Sequence, residues 1–430
     1  MTTGKFIQQG TKLGTMYAER ADQMSMLIDD FYKMQFGQFQ KSAGAATYGD
    51  NGYFNAVMGK EIMAAMFASD TVFTMLGARP YNHEGVRIAT ELADYGLDSE
   101  GREFLGIGAG TIQDGLIPKS VKMPVKEYRQ PYKELPFSFD YGKGLRALEA
   151  KEDDMITYND YVDKMSKNYT DLIDKTLLRP IWKSQPKVDG IETSLTGIAR
   201  AIGSVEDMNV SYDVPGGTYA PVDDDVCPYG GINGDFTARI NRGTPADPNL
   251  SGQLIDAEKS VLDIDMMSEL YTRCSINWTD FGSPNNKAFL ISNIARRKLE
   301  SLFLSQNIIL DQVYVQRGFN GVKTMPGRGV GLVAHAYNNV PLITSGNINF
   351  DYSKKQVSTT SIGDITLLDL DHLWMSILTP VEMYTVDNPA ITRVLQEQNV
   401  LNMRAELRID SFIQHGRIVN LSSGSATAAP

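Results

Sequence analysis

The sequence has few of the residues that build metal centres and redox sites. It contains two cysteines, Cys227 and Cys274, which are too few for a disulfide framework or a zinc site. Its four histidines are scattered along the chain at His83, His335, His372 and His415. None of them pairs with another at the helical spacing that a zinc hydrolase needs. We therefore expect no metal, no cofactor and no redox activity, and we expect synthesis in the cytoplasm.

Long apolar runs and an excess of positive charge are also missing. The longest uninterrupted apolar run covers residues 62–68, far short of the roughly 18 residues of a membrane span. Residues 1–10 have no apolar signal core. The 430 residues include 52 acidic and 41 basic side chains, a net charge of −11, which disfavours a protein that coats nucleic acid through a basic surface. We expect no membrane segment and no export signal.

The ordinary composition, with 42% hydrophobic and 22% charged residues, predicts a folded chain of two to three compact units. Enzyme motifs are incomplete. No glycine-flanked serine elbow is present, and the glycine runs at 106–110 and 327–331 complete no dinucleotide or phosphate-binding fingerprint. The acidic run 223–225 has the chemistry to hold a hard cation, but no loop with a distal bidentate glutamate follows it. A soluble metal- or nucleotide-dependent enzyme stays open only as a minor alternative.

Helical periodicity marks three segments. The pattern predicts an N-terminal helix at 16–39. A small-residue joint at 42–52 separates this arm from the body, where a helical stretch at 60–67 runs into β-prone residues 71–76. Residues 157–179 give the clearest helix, ended by Pro180. Its apolar stripe consists of Val162, Met165, Tyr169, Leu172 and Leu177. A third helix is predicted from Ser283-Pro284 to 303, and it includes Phe289 and Leu290.

A period of two marks the strands. Residues 121–125 and 135–141 alternate apolar with polar or proline, which predicts two long strands paired as a ribbon. Its prolines cannot donate hydrogen bonds within a sheet, so the ribbon belongs at an edge or stands free, and its apolar stripe needs a neighbouring subunit. Short β-rich segments follow at 313–315, 331–337, 340–343, 373–378 and 381–386. The last predicted strand, 403–410, has one core face and one charged face.

The order of these parts resembles the major capsid protein of tailed viruses, the Hong Kong 97-type fold, over residues 54–421. The segment 321–345, which ends in Asn339-Val340-Pro341-Leu342-Ile343, is similar to the late axial strands of that family. The resemblance implies an α+β fold with an N-terminal arm at 1–53, a peripheral domain, an E-loop ribbon and an axial domain. The ribbon covers 105–145 and the axial domain 190–390, with a loop-rich insertion near 203–252. The peripheral domain takes 54–104, 146–189 with its long spine helix, and the closing strands 391–421, before a frayed tail at 422–430.

The function implied by the resemblance is structural, without catalytic residues: a subunit that self-assembles into hexamers and pentamers of an icosahedral shell around a double-stranded DNA genome. Its partners would be further copies of itself, portal, scaffold and decoration proteins, and packaged DNA bound non-specifically. The place would be the virion, after assembly in the host cytoplasm. No long charged helical region precedes the arm, so we expect no fused scaffold. An encapsulin-like nanocompartment shell is the main alternative.

The candidate assembly contacts lie on the ribbon. They are Lys119, Lys122, Met123, Val125, Lys126, Phe137 and Phe139. The lysines also suit a plainer role as charges that protect a strand edge. Some relatives join an E-loop lysine to an asparagine of a neighbour, but no lysine here matches that pattern closely enough to carry the role over. We therefore expect non-covalent contacts.

Overall fold

The fold is described here from a computed structural model of the chain. The residues that the structure describes are 62–66, 71–80, 87–90, 126–129, 132–139, 154–183, 187–188, 191–192, 194–214, 217–220, 251–278, 286–305, 311–316, 323–325, 332–351, 356–357, 362–386 and 398–422. Helices and sheets occur together in this part of the chain, with parallel and antiparallel strand pairs, so the predicted α+β class is confirmed.

Five α-helices have bounds that the structure gives, and residues 62–66 are helical as well. The helices are α1 (Val72–Leu76), α2 (Asp154–Leu177), α3 (Ile198–Ala201), α4 (Ile264–Ser275) and α5 (Asn293–Ser305). Short 3-10 helices cover Val205–Asn209 and Gly346–Asn349. The strands are β1 (Ala78–Pro80), β2 (Arg87–Thr90), β3 (Lys126–Arg129), β4 (Lys133–Glu134), β5 (Phe137–Phe139), β6 (Lys187–Val188), β7 (Ile191–Glu192), β8 (Tyr212–Val214), β9 (Gly217–Tyr219), β10 (Gln253–Asp256), β11 (Lys287–Ile291), β12 (Asp311–Gln316), β13 (Lys323–Met325), β14 (Leu332–Tyr337), β15 (Val340–Thr344), β16 (Phe350–Asp351), β17 (Gln356–Val357), β18 (Ile365–Asp369), β19 (Leu373–Val386), β20 (Gln398–Ile409) and β21 (Gly416–Val419).

Two sheets organise the described residues. The first sheet has the order β1-β19-β20-β4, with β5 also paired to β20. Strands β19 and β20 run antiparallel along most of their length, and β1 lies parallel to β19. The second sheet has eight strands in the order β10-β21-β18-β11-β15-β14-β12-β13. Four further strand pairs stand outside both sheets: β2-β3, β6-β7, β8-β9 and β16-β17.

Two short crossings of the chain between the two sheets lie next to each other. The first crossing leads from Asp369 at the end of β18 to Leu373 at the start of β19. The second leads from Ile409 at the end of β20 to Gly416 at the start of β21. Leu373 pairs with Ile409 in the first sheet, and Leu367 pairs with Gly416 in the second. We call residues 369–373 and 409–416 together the junction.

The core continues from one sheet to the other through β11. Its alternating residues Ala288 and Leu290 belong to the cluster that packs α1 and α2 against the first sheet. Phe289 and Ile291 face the other way, into the cluster that α4 and α5 share with the second sheet. Because both faces of β11 are covered, its sequence is a continuous apolar run instead of an alternating one.

This double burial explains one wrong prediction. The third helix was expected to begin at Ser283-Pro284 and to include Phe289 and Leu290, whereas residues 287–291 form β11 and the helix begins only at Asn293. Short apolar runs do not distinguish a buried strand from a helix. The helix start is fixed by Ser292, whose Oγ accepts a hydrogen bond from the backbone N–H of Ala295 at 3.0 Å.

Some of the other predictions are confirmed and others are wrong. The clearest predicted helix is confirmed as α2, and the segments 373–378 and 381–386 join into the single long strand β19. Residues 72–76 are helical, so the β-prone interpretation of 71–76 is wrong. The closing segment 391–421 divides between the sheets, because β20 belongs to the first and β21 to the second. The predictions for the arm, the joint, the glycine runs, the acidic run 223–225 and residues 423–430 lie outside the described residues.

Candidate assembly surface and sheet junction

The predicted ribbon is built differently from its expected form. Of the candidate contacts, Lys119, Lys122, Met123 and Val125 lie outside the described residues, and Lys126 begins β3. Strand β3 does not pair with β5; it pairs antiparallel with β2, in a register that sets Thr90 opposite Lys126. The predicted strand at 121–125 lies outside the described residues, and that at 135–141 is confirmed over Phe137–Phe139; the alternation does not specify the partner of a strand. The partner here comes from residues 87–90, which the sequence analysis did not assign to a strand.

The chain that returns from this ribbon joins the first sheet. Phe137 and Phe139 lie on β5, opposite Leu401 and Asn399 of β20. The Phe137 ring packs on Tyr169 of α2, with 5.9 Å between the ring centroids. The predicted contacts Phe137 and Phe139 therefore have strand partners within their own chain, and their role towards a neighbour stays a prediction.

Leu135, between β4 and β5, fixes this return segment to both the sheet and the long helix. Its backbone N–H donates to the carbonyl oxygen of Met403 at 2.9 Å and to Oδ1 of Asn402 at 3.1 Å. Its own carbonyl oxygen accepts a hydrogen bond from the hydroxyl of Tyr169 at 2.8 Å. Burial raises the pKa of Tyr169 well above its usual value, so the hydroxyl stays a donor at every pH at which the chain is folded. The base of the ribbon is thus bound on two sides.

Helix α2 holds a second element in place with a buried carboxylate. The Asp174 side chain accepts the backbone N–H of Val72 on Oδ2 at 3.1 Å and that of Phe73 on Oδ1 at 3.0 Å. These are the first two N–H groups of α1, which have no acceptor inside their own helix. One carboxylate therefore satisfies two buried donors and fixes the angle between the two helices.

The two sides of α2 differ sharply. Its buried side has a four-residue spacing: Met165, Tyr169, Ile173 and Leu177. The predicted stripe is confirmed at Met165, Tyr169 and Leu177, but Leu172 is 39% exposed and Ile173 takes the buried place. Lys164, Lys167 and Asn168 are also exposed on the outer side. An exposed leucine among polar residues is common on protein surfaces, so this side of α2 alone identifies no partner.

The junction gathers charged and titratable groups from both sheets. The Lys287 ammonium lies 2.9 Å from Oδ2 of Asp369, and both side chains are almost completely buried. Asp371 lies next to this pair: its Oδ2 is 3.8 Å from Lys287 Nζ, and its Oδ1 accepts from the Asn286 amide at 2.8 Å. Burial raises the pKa of Asp369, and the charge of Lys287 opposes that rise. A buried ion pair is stable only when its geometry is good, so the short distance between Lys287 and Asp369 matters as much as the attraction of their charges.

Two histidines at the junction respond to their surroundings in opposite ways. His415 is fully buried, and its Nδ1 accepts the backbone N–H of Asp369 at 3.0 Å. Burial lowers the pKa of His415 to about 3, and the charges of His372 and Lys287 act in the same direction. Burial would also lower the pKa of His372, but the hydrogen bond and charge of Asp410, 2.7 Å from its Nδ1, raise it above the usual value. His415 is thus held neutral, while the cationic form of His372 is favoured.

Strand β20 confirms the predicted alternation but buries its charged face as well. Met403, Ala405, Leu407 and Ile409 are fully buried, as expected for the core face. On the opposite face, Glu406 and Arg408 are also fully buried. Glu406 Oε1 accepts from the backbone N–H groups of Thr196 at 3.2 Å and Leu407 at 2.9 Å. The Arg408 guanidinium lies over the Tyr132 ring, 4.6 Å from its centre. The strand is therefore an interior strand.

The second sheet buries a charge on β21. Arg417 donates from one terminal nitrogen, Nη2, to both carboxylate oxygens of Asp207 at 2.5 Å, and its other terminal nitrogen lies 3.6 Å from Asp364. Asp207 also accepts the backbone N–H of Ser204 at 2.7 Å and the hydroxyl of Tyr212. Asp207 therefore ties the short helix Val205–Asn209 and the β8-β9 hairpin to the second sheet, within the region near 203–252 that the sequence analysis interpreted as an insertion.

Arg296 and Cys274 have ordinary environments. Arg296 lies 3.4 Å from Glu300 on α5, and both side chains are partly exposed, as an ion-paired surface would be. Cys274 is a buried free thiol, and burial raises its pKa. Within the described ranges, no group of three or more His, Cys, Asp or Glu side chains is placed to hold a metal ion. None of the helices described here is both long enough and apolar enough to cross a membrane.

Sequence reasoning missed the junction because its members lie far apart in the chain. Lys287, His372 and His415 each look like single polar residues near an apolar segment. The only local signal is the sequence Asp369-Leu370-Asp371-His372 between two apolar strands. Polar residues between strands are also typical of an exposed turn, so this signal alone does not indicate burial.

Comparison with protein-family models and with curated protein sequences finds no match. Among solved structures, the chain is similar to the capsid asymmetric unit of cyanophage A-1(L), with 12% identity over 83% of this chain and 93% of that chain and a TM-score of 0.49. It is similar to the holo-SrpI encapsulin complex of Synechococcus elongatus PCC 7942, with 10% identity over 84% and 90% of the two chains and a TM-score of 0.42. It is also similar to the capsid of the native GTA particle, with 9% identity over 83% and 90% and a TM-score of 0.42.

Proposed function

We propose that this chain is the major capsid protein of a tailed virus, a structural subunit without catalytic residues that forms hexamers and pentamers of an icosahedral shell around double-stranded DNA. The order of elements supports this proposal. After α1 and β1 come the two-stranded ribbon, the long helix α2, and the strands and helices of the second sheet; β19 and β20 then return to the first sheet, and β21 ends in the second. This order resembles that of the Hong Kong 97-type fold.

The observation that carries the proposal is the contrast between the ribbon and its base. The base is fixed to the sheet and to α2 through Leu135. The β2-β3 ribbon has two strands, and within the described residues no third strand pairs with either. A lone two-stranded ribbon is marginal in water, so a surface outside it has to contribute to its stability. A second copy of the chain, related by closed symmetry, supplies such a surface repeatedly.

The contacts on the ribbon follow from the sequence pattern. Met123 and Val125 would lie against a neighbouring copy, since alternate residues of a strand share a face. Lys119, Lys122 and Lys126 would contact the neighbour's surface or protect the strand edge. Phe137 and Phe139 would anchor the base of the ribbon in its own sheet, next to the contact with the neighbour.

The proposal also covers the binding partners of the chain and its location. The shell would be part of the virion, assembled in the host cytoplasm, with portal, scaffold and decoration proteins as further partners. With a net charge of −11, binding of packaged DNA would be weak for each subunit and independent of sequence. Basic side chains turned toward the interior would provide it.

The test begins with the full chain expressed alone and imaged by negative-stain electron microscopy over a range of concentrations. Rings of five or six subunits, or hollow spheres of uniform size, are the expected result. A chain that stays monomeric at high concentration, with the ribbon protected from hydrogen exchange on its own body, would overturn the proposal. Because a capsid and an encapsulin both occur among the similar structures, the contents of particles purified from the natural source separate the two: DNA supports a virion, and an enclosed enzyme supports a nanocompartment.

A substitution in the ribbon tests the proposed contact. Val125→Asp places a charge on the face that a neighbour would cover, so we expect loss of rings and shells with an unchanged unfolding midpoint of the monomer. Ser301→Asp on the exposed side of α5 adds the same charge to the body and is the matched control, expected to assemble normally. Equal assembly by both variants would remove the ribbon from the contact.

A further inference from the structure

Three hydrogen bonds join the two crossings of the junction. The backbone N–H of Asp369 donates to Nδ1 of His415 at 3.0 Å. The backbone N–H of Asp410 donates to the carbonyl oxygen of His372 at 3.2 Å, and the His372 Nδ1 lies 2.7 Å from Asp410 Oδ1. The first of these bonds lies nearest the second sheet, because Gly416, the residue after His415, already pairs with Leu367 there.

The bond from Asp369 fixes the state of the His415 ring. A backbone N–H can only donate, so Nδ1 has to keep its lone pair and the ring proton has to sit on Nε2. A protonated imidazole carries hydrogen on both nitrogens and has no acceptor left. Protonation of His415 would therefore break this bond and would place two N–H groups against each other.

The charges around His415 come from each element that packs against the junction. Lys287 contributes a cation from β11, His372 a second titratable ring from the first crossing, and Asp369 and Asp371 carboxylates on either side of Leu370. Asp410 contributes a carboxylate from its own crossing, next to His372. From α4, the neutral Cys274 thiol faces the adjacent Gly416, where an added Cβ would lie 2.9 Å from the sulfur.

We propose that His415 is an acid-sensitive latch at the junction: the neutral ring ties the second crossing to the first next to the second sheet, and the protonated ring releases this tie, so that the junction opens locally. The latch belongs to the single chain. It would act whether or not the chain forms a shell, so it does not depend on the function proposed above.

The direction of the effect follows from linkage. The pKa of His415 is lowered to about 3 in the closed junction from a usual value of 6.5. An opened junction that exposes the ring takes up a proton below about pH 6.5, whereas the closed junction does not. Opening should therefore become about tenfold more favourable for each pH unit below 6.5, and the increase should end near the pKa of the closed state.

The test measures hydrogen exchange of the Asp369 and Asp410 amides in the full chain between pH 7 and 4.5, corrected for intrinsic exchange. The variant His415→Asn keeps an oxygen that can accept from Asp369 but does not titrate. We expect the opening constant of the unchanged chain to rise about a hundredfold more than that of the variant between pH 6.5 and 4.5. The nearby carboxylates titrate in both proteins and cancel in this difference. His335→Asn, at a partly exposed ring near Glu300, is the control and should behave like the unchanged chain.

An equal pH dependence in the unchanged chain and in His415→Asn would overturn the proposal. If the variant does not fold, nitrogen NMR of the histidine rings in the unchanged chain replaces it. The expected result is a proton on Nε2 and a pKa below 4 for His415. A His415 that titrates near 6.5 while the Asp369 amide stays protected would also overturn the proposal, because the closed junction would then accept the charged ring.

Discussion

The two sheets bury charges on neighbouring strands of the chain, but they satisfy them to different degrees. In the second sheet, Arg417 of β21 binds both oxygens of Asp207, and a backbone N–H and a hydroxyl donate two further hydrogen bonds to the carboxylate. In the first sheet, Glu406 of β20 has two backbone donors on Oε1, while its buried Oε2 has no hydrogen-bond partner among the residues that the structure describes. A buried carboxylate with an unsatisfied oxygen is better protonated than charged. The Asp207 carboxylate in the second sheet thus has donors on both oxygens, whereas the Glu406 carboxylate in the first sheet has donors on only one within the described part of the chain.

The largest expected loss of stability comes from removing Arg417, the cation that binds the Asp207 carboxylate in the second sheet. Arg417→Met leaves the Asp207 carboxylate buried without its cation, which should lower the free energy of unfolding by about 3–5 kcal/mol. Denaturant unfolding measures the change. Arg404→Met is the matched control, because Arg404 is partly exposed and lies 4.0 Å from Glu134 on the surface. It should cost less than about 1 kcal/mol. Similar losses in both variants would show that the buried site contributes no more than a surface pair.

Substitution of Glu406, the carboxylate with one oxygen that lacks a described hydrogen-bond partner, should stabilise the folded chain, whereas Arg417→Met destabilises it. Burial raises the pKa of Glu406 from 4.5 to about 7, while Lys133 and Arg408 oppose the rise. Between these values the folded chain binds more protons than the unfolded chain, so this carboxyl contributes stability below pH 4.5 that is lost as pH rises through 7. Glu406→Gln removes this titration. Compared with the unchanged chain, the variant should gain up to about 3 kcal/mol more free energy of unfolding at pH 8 than at pH 4.5.

Unfolding midpoints at pH 4.5, 6 and 8 measure this change. Glu134→Gln is the control, since Glu134 is 66% exposed and its substitution should leave the pH dependence unchanged. A Glu406→Gln variant that loses stability at pH 8 would mean that the carboxylate is charged and fully satisfied in the folded chain.

Asp174 is a third buried carboxylate, and it tests whether complete hydrogen bonding explains the difference between Asp207 and Glu406. Asp174 lies beside the first sheet, as Glu406 does, but both of its oxygens accept backbone N–H groups. Asp174→Ala should lower the free energy of unfolding by about 2 kcal/mol, because the two donors at the start of α1 lose their acceptor. Asp171→Ala, whose partly exposed carboxylate bonds Lys175 and the Asn347 amide, should change it by no more than about 1 kcal/mol. Equal effects would argue that location near the first sheet, and not hydrogen bonding, determines how these carboxylates behave.

These differences mark the limit of what the sequence predicts. Helix α2 could be predicted because a stripe with helical spacing and a terminating proline depend only on residues near one another. The alternation along β20 could be predicted for the same reason. That Glu406 and Arg408 are buried could not, since their cover comes from Thr196 and Tyr132, which are distant in sequence.

The ribbon shows the same limit from another side. The extended chain of β5 follows from local alternation, but the pairing of β3 with β2, and of β5 with β20, joins residues across long stretches of chain. A pattern of period two fixes which residues share a face, and leaves the neighbouring strand unspecified. The junction residues were missed for the related reason that charge in a short turn looks alike whether the turn is exposed or covered.

The smallest expected effect concerns His372, where the two sheets meet. Its pKa is raised above 6.5 by Asp410 against the effect of burial, so its cation contributes stability below pH 6.5 that is lost as pH rises through the folded-state pKa. His372→Asn keeps an N–H donor in place of Nδ1 without the charge. Because both partners are partly exposed, the variant should lose less than about 1 kcal/mol at pH 5.5 and almost nothing at pH 8.5. Unfolding free energies at the two pH values measure it. A loss that grows with pH would mean that His372 is neutral in the folded chain, and the two sheets would then meet at a junction in which neither histidine carries charge.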